Sequence, residues 1–154
     1  MMDRPSWDEY FMSIAELVST RSTCLKHKDG ALLVRDKRIL TTGYNGAPRG
    51  VEHCLSRGCL RDELGIPQGQ QLEICRGLHA AQNAIIQGAL FGVSTRDSTL
   101  YTTSFPCIIC LKLLVSAGVK KIVLKVPLPA PETDELRLAF DLIRQTGIEI
   151  IQLK

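Results

Sequence analysis

The sequence predicts an α/β fold, in which a single mixed sheet of five strands is layered with helices on both faces. Three observations lead to this prediction. Two strand-like segments flank a short polar turn at residues 35–37, which is typical of a hairpin. Three later strand-like segments alternate with helical ones, an order that builds parallel strands through right-handed crossovers. The length of 154 residues suits one domain over residues 1–154, without repeats or low-complexity tracts.

The first part of the chain contains a helix and the hairpin. Ser6 and Glu9 have the spacing of a capping box, and apolar residues then recur at the helical period. These signals predict a helix from about Trp7 to Thr20. Strongly apolar and β-branched residues predict the two hairpin strands at residues 30–34 and 38–42.

A long segment without strong periodicity follows, at residues 43–78. A loop of that length is expected to be functional or tied down. Helices and strands then alternate, with Pro106 suited to a first helical turn and Gly118 and Gly147 suited to helix ends. In order, the predictions are a helix at 79–89, a strand at 99–102, a helix at 107–117, a strand at 121–124, a helix at 132–145 and a strand at 148–151.

Charge and composition narrow the classes of function. The formal net charge of +3 and the pI near 8.6 suit a small anionic ligand. Only 5% of the residues are aromatic, which argues against a nucleic-acid partner. No apolar run approaches a bilayer-spanning length and no signal peptide is recognisable, so we expect a cytoplasmic protein without a membrane partner. In a reducing compartment, six cysteines indicate metal ligands.

Three residues have the character of a catalytic zinc site. Cys107 and Cys110 are three residues apart at a predicted helix start, where they share one face and the helix dipole favours thiolates. His79 lies at the start of the preceding predicted helix. Three protein ligands leave the fourth position of a tetrahedral Zn²⁺ for water, which distinguishes a catalytic zinc from a structural one. A redox Cys pair and an isolated histidine are the alternatives, and the combination favours zinc.

Several segments resemble the zinc-dependent deoxycytidylate (dCMP) deaminases, a branch of the cytidine deaminase superfamily. Their signature H-x-E…P-C-x-x-C is matched at His79 and at residues 106–110, except for its glutamate. Four further matching segments are TRSTC at 20–24, GYNGAP at 43–48, CRGLH at 75–79 and QNA at 82–84. The resemblance extends from about Trp7 to Val123. It implies the cytidine deaminase-like fold and hydrolytic conversion of dCMP to dUMP and ammonia in pyrimidine nucleotide metabolism.

Ala81 occupies the position of the family's catalytic glutamate. In that family zinc activates the attacking water, and the glutamate is the general acid/base that relays its protons. Ala81 cannot relay protons, so we expect the chain to bind zinc and nucleotide while turning over very slowly. A deliberate Glu-to-Ala replacement and a natural non-catalytic homologue both explain this residue. Every neighbouring motif is present, which favours the deliberate replacement.

The resemblance also implies a nucleotide site. A nucleoside monophosphate needs a basic or amide-bearing group for its phosphate, and Arg21 and Asn45 are the predicted residues. Asn45 is alternatively a sugar contact or a turn residue, and Arg21 a helix C-terminal charge. Family members bind dCTP as activator and dTTP as inhibitor and form homo-oligomers, often hexamers. A regulatory nucleotide site is therefore predicted at a glycine-rich turn formed by Gly43, Tyr44, Asn45 and Gly46.

A second, structural zinc is predicted for the remaining cysteines, because some family members carry one. Its candidate ligands are four thiolates, or three and an imidazole, from the set Cys24, His53, Cys54, Cys59 and Cys75. Such a site would pin the long loop to the end of the first helix. The alternative is that these cysteines are small buried residues without a metal.

Two further functions remain open. One is deamination of another cytosine compound, including CMP, dCTP or a polynucleotide. The weakly basic, aromatic-poor composition argues against a polynucleotide. The other is a non-catalytic regulatory protein that binds zinc and nucleotide and has alanine as its native residue at position 81.

Overall fold

The computed structural model describes residues 3–154. Five strands form one sheet, namely β1 (Gly30–Arg35), β2 (Arg38–Tyr44), β3 (Thr99–Thr102), β4 (Lys121–Leu124) and β5 (Glu149–Gln152). Their order is β2-β1-β3-β4-β5. β1 is antiparallel to both β2 and β3, whereas β3, β4 and β5 run parallel. The predicted mixed sheet of five strands is confirmed.

Four long helices begin and end close to the predicted residues, and two four-residue helices, α2 and α3, were not predicted. They are α1 (Trp7–Ser19), α2 (Cys54–Arg57), α3 (Leu60–Glu63), α4 (Ala80–Phe91), α5 (Ile108–Ser116) and α6 (Asp134–Thr146). The capping box before α1 is formed: the backbone N–H of Glu9 donates to Ser6 Oγ (3.2 Å), and that of Ser6 donates to Glu9 Oε2 (2.7 Å). Thr133 caps α6 by accepting from the backbone N–H of Leu136 at 3.2 Å. These caps satisfy amides that the first helical turn leaves free.

Alternation along β1 divides the core between the two faces of the sheet. Ala31 and Leu33 pack on one face with residues of α4, α5 and α6. Leu32 and Val34 pack on the other face with α1. All four side chains are buried. The prediction of helices on both faces is therefore confirmed, and one face carries α4 and α5, whose N-termini hold the predicted zinc ligands.

The segment at residues 43–78 is more ordered than predicted. Its first two residues continue β2, and α2, α3 and a 3₁₀ turn at Leu72–Ile74 follow. The prediction of a structureless loop was wrong here because four-residue helices are too short to show a hydrophobic period. Gly46 and Leu78 close the segment, since each backbone N–H donates to the other's carbonyl at 3.1 and 2.8 Å. We call residues 47–77 the insertion.

Among residues 3–154, no helix has both the length and the apolar character needed to cross a membrane.

Candidate metal centre

His79 lies immediately before α4. Its backbone is extended (φ −73°, ψ 157°), so it is the N-cap and the helix begins one residue later than predicted. Its N–H donates to Gln82 Oε1 at 2.7 Å, which fixes the backbone at this helix entry. An N-cap side chain projects beyond the first helical turn. His79 is therefore held at the helix end and leaves its ring free to act as a ligand.

Cys107 has the same position before α5. Its backbone is also extended (φ −65°, ψ 168°), so the predicted helix start at 107 is corrected to 108. Cys110 is the third residue of α5 and is buried. The backbone N–H of Cys110 donates to Cys107 Sγ at 3.5 Å. This bond stabilises negative charge on the Cys107 sulfur, as does the positive end of the helix.

The structure brings the three predicted zinc ligands together. His79 Nδ1 lies 3.3 Å from Cys110 Sγ and 3.4 Å from Cys107 Sγ. The three ligand atoms lie within 4.8 Å of one another. Ligand bonds of ~2.0 Å to nitrogen and ~2.3 Å to sulfur would separate such atoms by roughly 3.5–3.8 Å in a tetrahedron. One nitrogen and two sulfurs at these separations fit Zn²⁺ and leave a fourth position for another ligand.

Hydrogen bonds couple the protonation of the three groups. A hydrogen bond from the Cys110 thiol, aided by His79, lowers the pKa of Cys107 to about 4. The pKa of Cys110 is raised, because its proton is shared with Cys107 and because the thiol is buried. The hydrogen bond to Cys107 raises the pKa of His79, and the charge of Asp29 acts in the same direction. These surroundings favour the thiolate at Cys107, the form that binds a metal, whereas the Cys110 thiol would have to release its proton when a metal binds.

The three residues line a cavity of about 370 Å³. This volume is within the range of small-molecule sites, roughly 300–1,000 Å³. Ala81 lines it too, as the second residue of α4, and is 5% exposed. Residue 81 therefore lines the same cavity as the metal ligands. The methyl group of Ala81 cannot donate or accept a proton.

Asn45 also lines the cavity, and its amide is largely used by the protein. Its Oδ1 accepts from the backbone N–H of Asp29 at 2.9 Å and from the Ser22 hydroxyl, and its Nδ2 donates to the carbonyl of His27. These bonds join the end of β2 to the segment that precedes β1. The observed role of Asn45 is structural, and its role in nucleotide binding stays a prediction.

The other predicted phosphate ligand, Arg21, is exposed two residues after the end of α1. Within residues 3–154, it is not part of the cavity wall. Its N–H continues the helical turn by donating to the Val18 carbonyl at 3.0 Å, which agrees with the alternative of a helix C-terminal charge. The structure thus gives no support to Arg21 as a phosphate ligand.

The predicted regulatory segment is not one glycine-rich turn. Gly43 and Tyr44 are the last residues of β2, and Asn45 and Gly46 follow the strand. Gly43 is required for packing, because a Cβ atom there would meet the backbone of α4. Tyr44 is 36% exposed, and its carbonyl accepts from Asn83 Nδ2 at 2.7 Å. The turn interpretation was wrong because the hairpin strand is longer than its apolar residues indicated.

Four of the five candidates for a second metal line the same cavity, namely Cys24, Cys54, Cys59 and Cys75. His53 is exposed and precedes α2. Burial, followed by the charges of the other three cysteines, raises the pKa of Cys54, which shows that the four thiols are neighbours. In the described part of the chain, only His79, Cys107 and Cys110 have three such ligand atoms within 4.8 Å. The second metal therefore stays a prediction.

Sequence reasoning missed three charged residues of the cavity wall: Lys26, Asp29 and Arg61. Arg61 is 7% exposed in α3, a helix too short to be recognised from periodicity. Lys26 and Asp29 lie between α1 and β1, and no pattern in this segment indicates that it faces a site. Their placement depends on the tertiary fold.

Known proteins agree with this geometry. Residues 5–126 match the family model of the cytidine and deoxycytidylate deaminase zinc-binding region. The deoxycytidylate deaminase of Schizosaccharomyces pombe is 40% identical over 120 residues, which are 78% of this chain and 37% of the relative. The ComE operon protein 2 of Bacillus subtilis is 37% identical over 99% of this chain and 74% of its own length.

A solved structure extends the agreement to the fold. The dCMP deaminase of cyanophage S-TIM5, in complex with dCMP and dUMP, superposes with a TM-score of 0.75 at 32% identity. The match covers 98% of this chain and 99% of the phage chain. The family model covers most of the chain and contains its metal centre. The chain therefore belongs to the family defined by the cytidine and deoxycytidylate deaminase zinc-binding region.

Proposed function

We propose that this chain is the domain of a zinc-dependent dCMP deaminase, which hydrolyses dCMP to dUMP and ammonia. The observation that carries the proposal is the group of His79, Cys107 and Cys110 in one cavity with position 81. Relatives named deoxycytidylate deaminases and a neighbour solved with dCMP and dUMP support the choice of substrate. Because the chain spans only 37% of the Schizosaccharomyces pombe relative, the substrate is part of the proposal.

The metal ligands and the residue at position 81 would have different roles in the reaction. His79, Cys107 and Cys110 would hold Zn²⁺, which supplies a water of lowered pKa for attack on C4 of cytosine. The N-termini of α4 and α5 position these ligands, and the cavity they line would hold the cytosine base. At position 81 a glutamate would lie two residues from a ligand and move protons between the water and the leaving amine. Ala81 cannot carry a proton, so the chain with alanine at this position would bind zinc and nucleotide but turn over very slowly.

The test is the Ala81→Glu variant, assayed for ammonia release from dCMP with zinc present. Restoring a positioned general acid/base should raise the rate on the order of 10²–10⁴-fold over the unsubstituted chain. Ala81→Gln is the matched control, because it has the same length without an exchangeable carboxyl proton, and it should remain slow. If Ala81→Glu folds, binds zinc and releases no ammonia from any cytosine nucleotide, the proposed activity is wrong.

Substrate choice is tested on the same variant with dCMP, CMP, dCTP and a cytosine-containing oligonucleotide. We expect dCMP to be preferred over the oligonucleotide, because the cavity of about 370 Å³ has the size of a small-molecule site and the chain carries few aromatic stacking residues. Preference for the oligonucleotide would favour the polynucleotide alternative. A native gene with alanine at codon 81 would instead favour a non-catalytic protein that binds zinc and nucleotide.

We further propose that Cys24, Cys54, Cys59 and Cys75 hold a second, structural Zn²⁺. Support comes from their common cavity wall and from backbone donors that favour thiolates. Cys24 Sγ accepts from the backbone N–H groups of Lys26 and His27, both at 3.4 Å. Cys75 Sγ accepts from the N–H of Gly77, also at 3.4 Å. Four thiolates would make a closed tetrahedral site, for which exposed His53 is not needed.

The assembled enzyme is proposed to be a cytoplasmic homo-oligomer, hexameric in the family's manner, with dCTP and dTTP as regulators. Support for association comes from α4, where Ile86, Leu90 and Phe91 are 46%, 61% and 69% exposed. Ile86 and Leu90 are one helical turn apart and share a face. Exposed apolar side chains grouped in this way are typical of protein contact surfaces.

A further inference from the structure

The metal ligand His79 is flanked in the sequence by two contacts with one short segment. Before it, Leu78 pairs with Gly46 in an antiparallel bridge, whose two N–H···O distances are 2.8 and 3.1 Å. After it, in the first turn of α4, Asn83 Nδ2 donates to the carbonyl of Tyr44 at 2.7 Å. The chain from Tyr44 to Gly46, which we call the bracing segment, therefore contacts both sides of the ligand.

Asn83 connects the bracing segment directly to the backbone of His79. Its backbone N–H donates to the His79 carbonyl at 3.0 Å, the bond with which an N-cap residue begins its helix. Its side chain donates to the carbonyl of Tyr44. One residue is thus bonded to the metal ligand and to the end of β2. A displacement of α4 along the strand would break the second bond and move His79 with the helix.

The bracing segment is itself fixed to the rest of the protein. Its middle residue, Asn45, is 9% exposed. The backbone N–H of Asn45 donates to the carbonyl of Asp29 at 3.3 Å, and its Oδ1 accepts from the N–H of Asp29 at 2.9 Å. The carbonyl of Asn45 accepts from the N–H of Thr23 at 3.2 Å. These bonds make the segment a fixed support against which α4 is held.

Gln87 offers a comparison on the same helix. It lies four residues after Asn83, and therefore on the same face and one turn further from His79. Its Oε1 accepts from the backbone N–H of Thr42 at 2.8 Å. Both amides satisfy backbone groups of β2, which is an edge strand of the sheet. The bond of Asn83 differs because it lies in the turn that begins at the metal ligand.

We propose that Asn83 is a positioning residue of the metal centre, which fixes His79 relative to Cys107 and Cys110 by joining α4 to the bracing segment. The inference rests on the metal centre of the proposed function and is independent of the substrate. The imidazole comes from the start of α4 and the two sulfurs from the start of α5. Their separation therefore depends on where α4 lies. Contacts that orient a metal ligand from outside typically contribute about 10–100-fold to metal affinity.

The experiment compares Asn83→Leu with Gln87→Met, which each replace an amide of α4 by an apolar side chain of similar size. Zinc affinity is measured by competition with a chelator, and the geometry of the site by the visible d–d absorption of the Co²⁺-loaded chain. Asn83→Leu should weaken zinc binding by about 10–100-fold and shift the Co²⁺ bands. Gln87→Met should lower the free energy of unfolding of the metal-free chain in urea and leave zinc affinity and the Co²⁺ bands unchanged.

A second variant, Asn83→Asp, separates the hydrogen bond from the shape of the side chain. An ionised carboxylate has the same shape as the amide but no N–H to donate to the Tyr44 carbonyl, and its charge suits the start of a helix. Asn83→Asp should therefore fold and should shift the Co²⁺ bands, as Asn83→Leu does. Native Co²⁺ bands in Asn83→Asp would overturn the proposed role of the hydrogen bond.

The remaining outcomes separate the positioning role from general loosening of α4 and from the proposed function. An equal loss of zinc affinity in Gln87→Met would assign the effect to the whole helix and overturn the role of Asn83. Unchanged zinc affinity in Asn83→Leu would overturn it too. If the unsubstituted chain binds no zinc, the metal centre and the proposed function fail together. If it binds zinc while Ala81→Glu stays inactive, the proposed activity fails and the positioning role is still decided by the zinc and Co²⁺ measurements.

Discussion

A Cβ atom at Gly43 would lie 2.2 Å from the carbonyl oxygen of Ala80, the first residue of α4. The end of β2 therefore presses directly on the helix turn that follows His79. Gly30 has the equivalent relation to α1, where a Cβ atom would lie 2.1 Å from the carbonyl of Ala15. The two glycines allow helices on opposite faces of the sheet to approach it closely.

Replacement of Gly43 by alanine should disturb both stability and metal binding. Forcing a methyl group into this contact should lower the free energy of unfolding by about 1–3 kcal/mol, because α4 must move away. The movement shifts His79, so zinc affinity should also fall. Urea unfolding and a competitive zinc titration measure the two effects. Gly30→Ala is the control, and we expect a similar loss of stability with unchanged affinity at the metal centre. Equal affinity losses in both variants would contradict this coupling.

Tyr101 links the sheet to α1 through a partly buried hydrogen bond. Its hydroxyl donates to Asp8 Oδ1 at 2.6 Å, and the ring is 6% exposed. Burial, and then the bond to Asp8, raises the pKa of Tyr101 above its usual value. A raised pKa means that the native state resists ionisation more than the unfolded chain does. The stability that Tyr101 contributes is therefore complete below pH ~10 and is lost as the pH rises further.

We accordingly expect Tyr101→Phe to cost about 1–2 kcal/mol at pH 7, where a hydrogen bond to a carboxylate is removed. Above pH ~10 the difference between the two proteins should shrink. Chemical denaturation at pH 7, 9, 10 and 11 provides the measurement. If the difference in free energy of unfolding stays constant from pH 7 to 11, the pKa of Tyr101 does not differ between the native and unfolded states, and the prediction is wrong.

The cysteine group can be tested by counting metal ions. We expect two zinc ions per purified chain. Cys75→Ser should retain one, because a hydroxyl is a poor replacement for a thiolate in a closed zinc site. His53→Ala should retain both, since His53 is exposed beside Cys54 and lies outside the thiol group. One zinc in the unsubstituted chain would dismiss the second site, and loss of zinc in His53→Ala would favour three thiolates with an imidazole.

The apolar end of α4 makes a prediction about association. Phe91→Ser should reduce the mass measured by sedimentation velocity, because Phe91 is 69% exposed and its burial would favour an interface. Leu17→Ser is the control, since Leu17 is 68% exposed on α1. A larger effect from Leu17 than from Phe91 would assign the contact to the opposite face of the sheet.

The sequence allowed most of the sheet and its long helices to be predicted, because these elements have clear periods and caps. The Ser6–Glu9 capping box and the strand β4 are examples, and both are present as predicted. The metal centre was also predictable, since helix starts and the spacing of Cys107 and Cys110 are local features. His79 could be predicted as the third ligand because a helix and a strand were expected between it and the helix that begins at the cysteine pair.

The remaining parts of the cavity depend on contacts between distant segments. Arg61 gives no periodic signal, and its burial results from carbonyls six and nine residues later in the insertion. The role of Gly43 depends on the close approach of α4, whereas the sequence alone indicated a turn. Arg21 lies outside the cavity wall among the described residues, and its motif carries no information about the direction of its side chain.

The insertion supplies Arg61 and three of the clustered thiols, and its helical elements are two single-turn helices and a 3₁₀ turn joined by loops. Helices of one turn do not persist in water by themselves. This wall is consequently the part of the described chain with the least stability of its own. Hydrogen exchange should be fastest there, and occupancy of the cavity should slow it more than anywhere else in the domain.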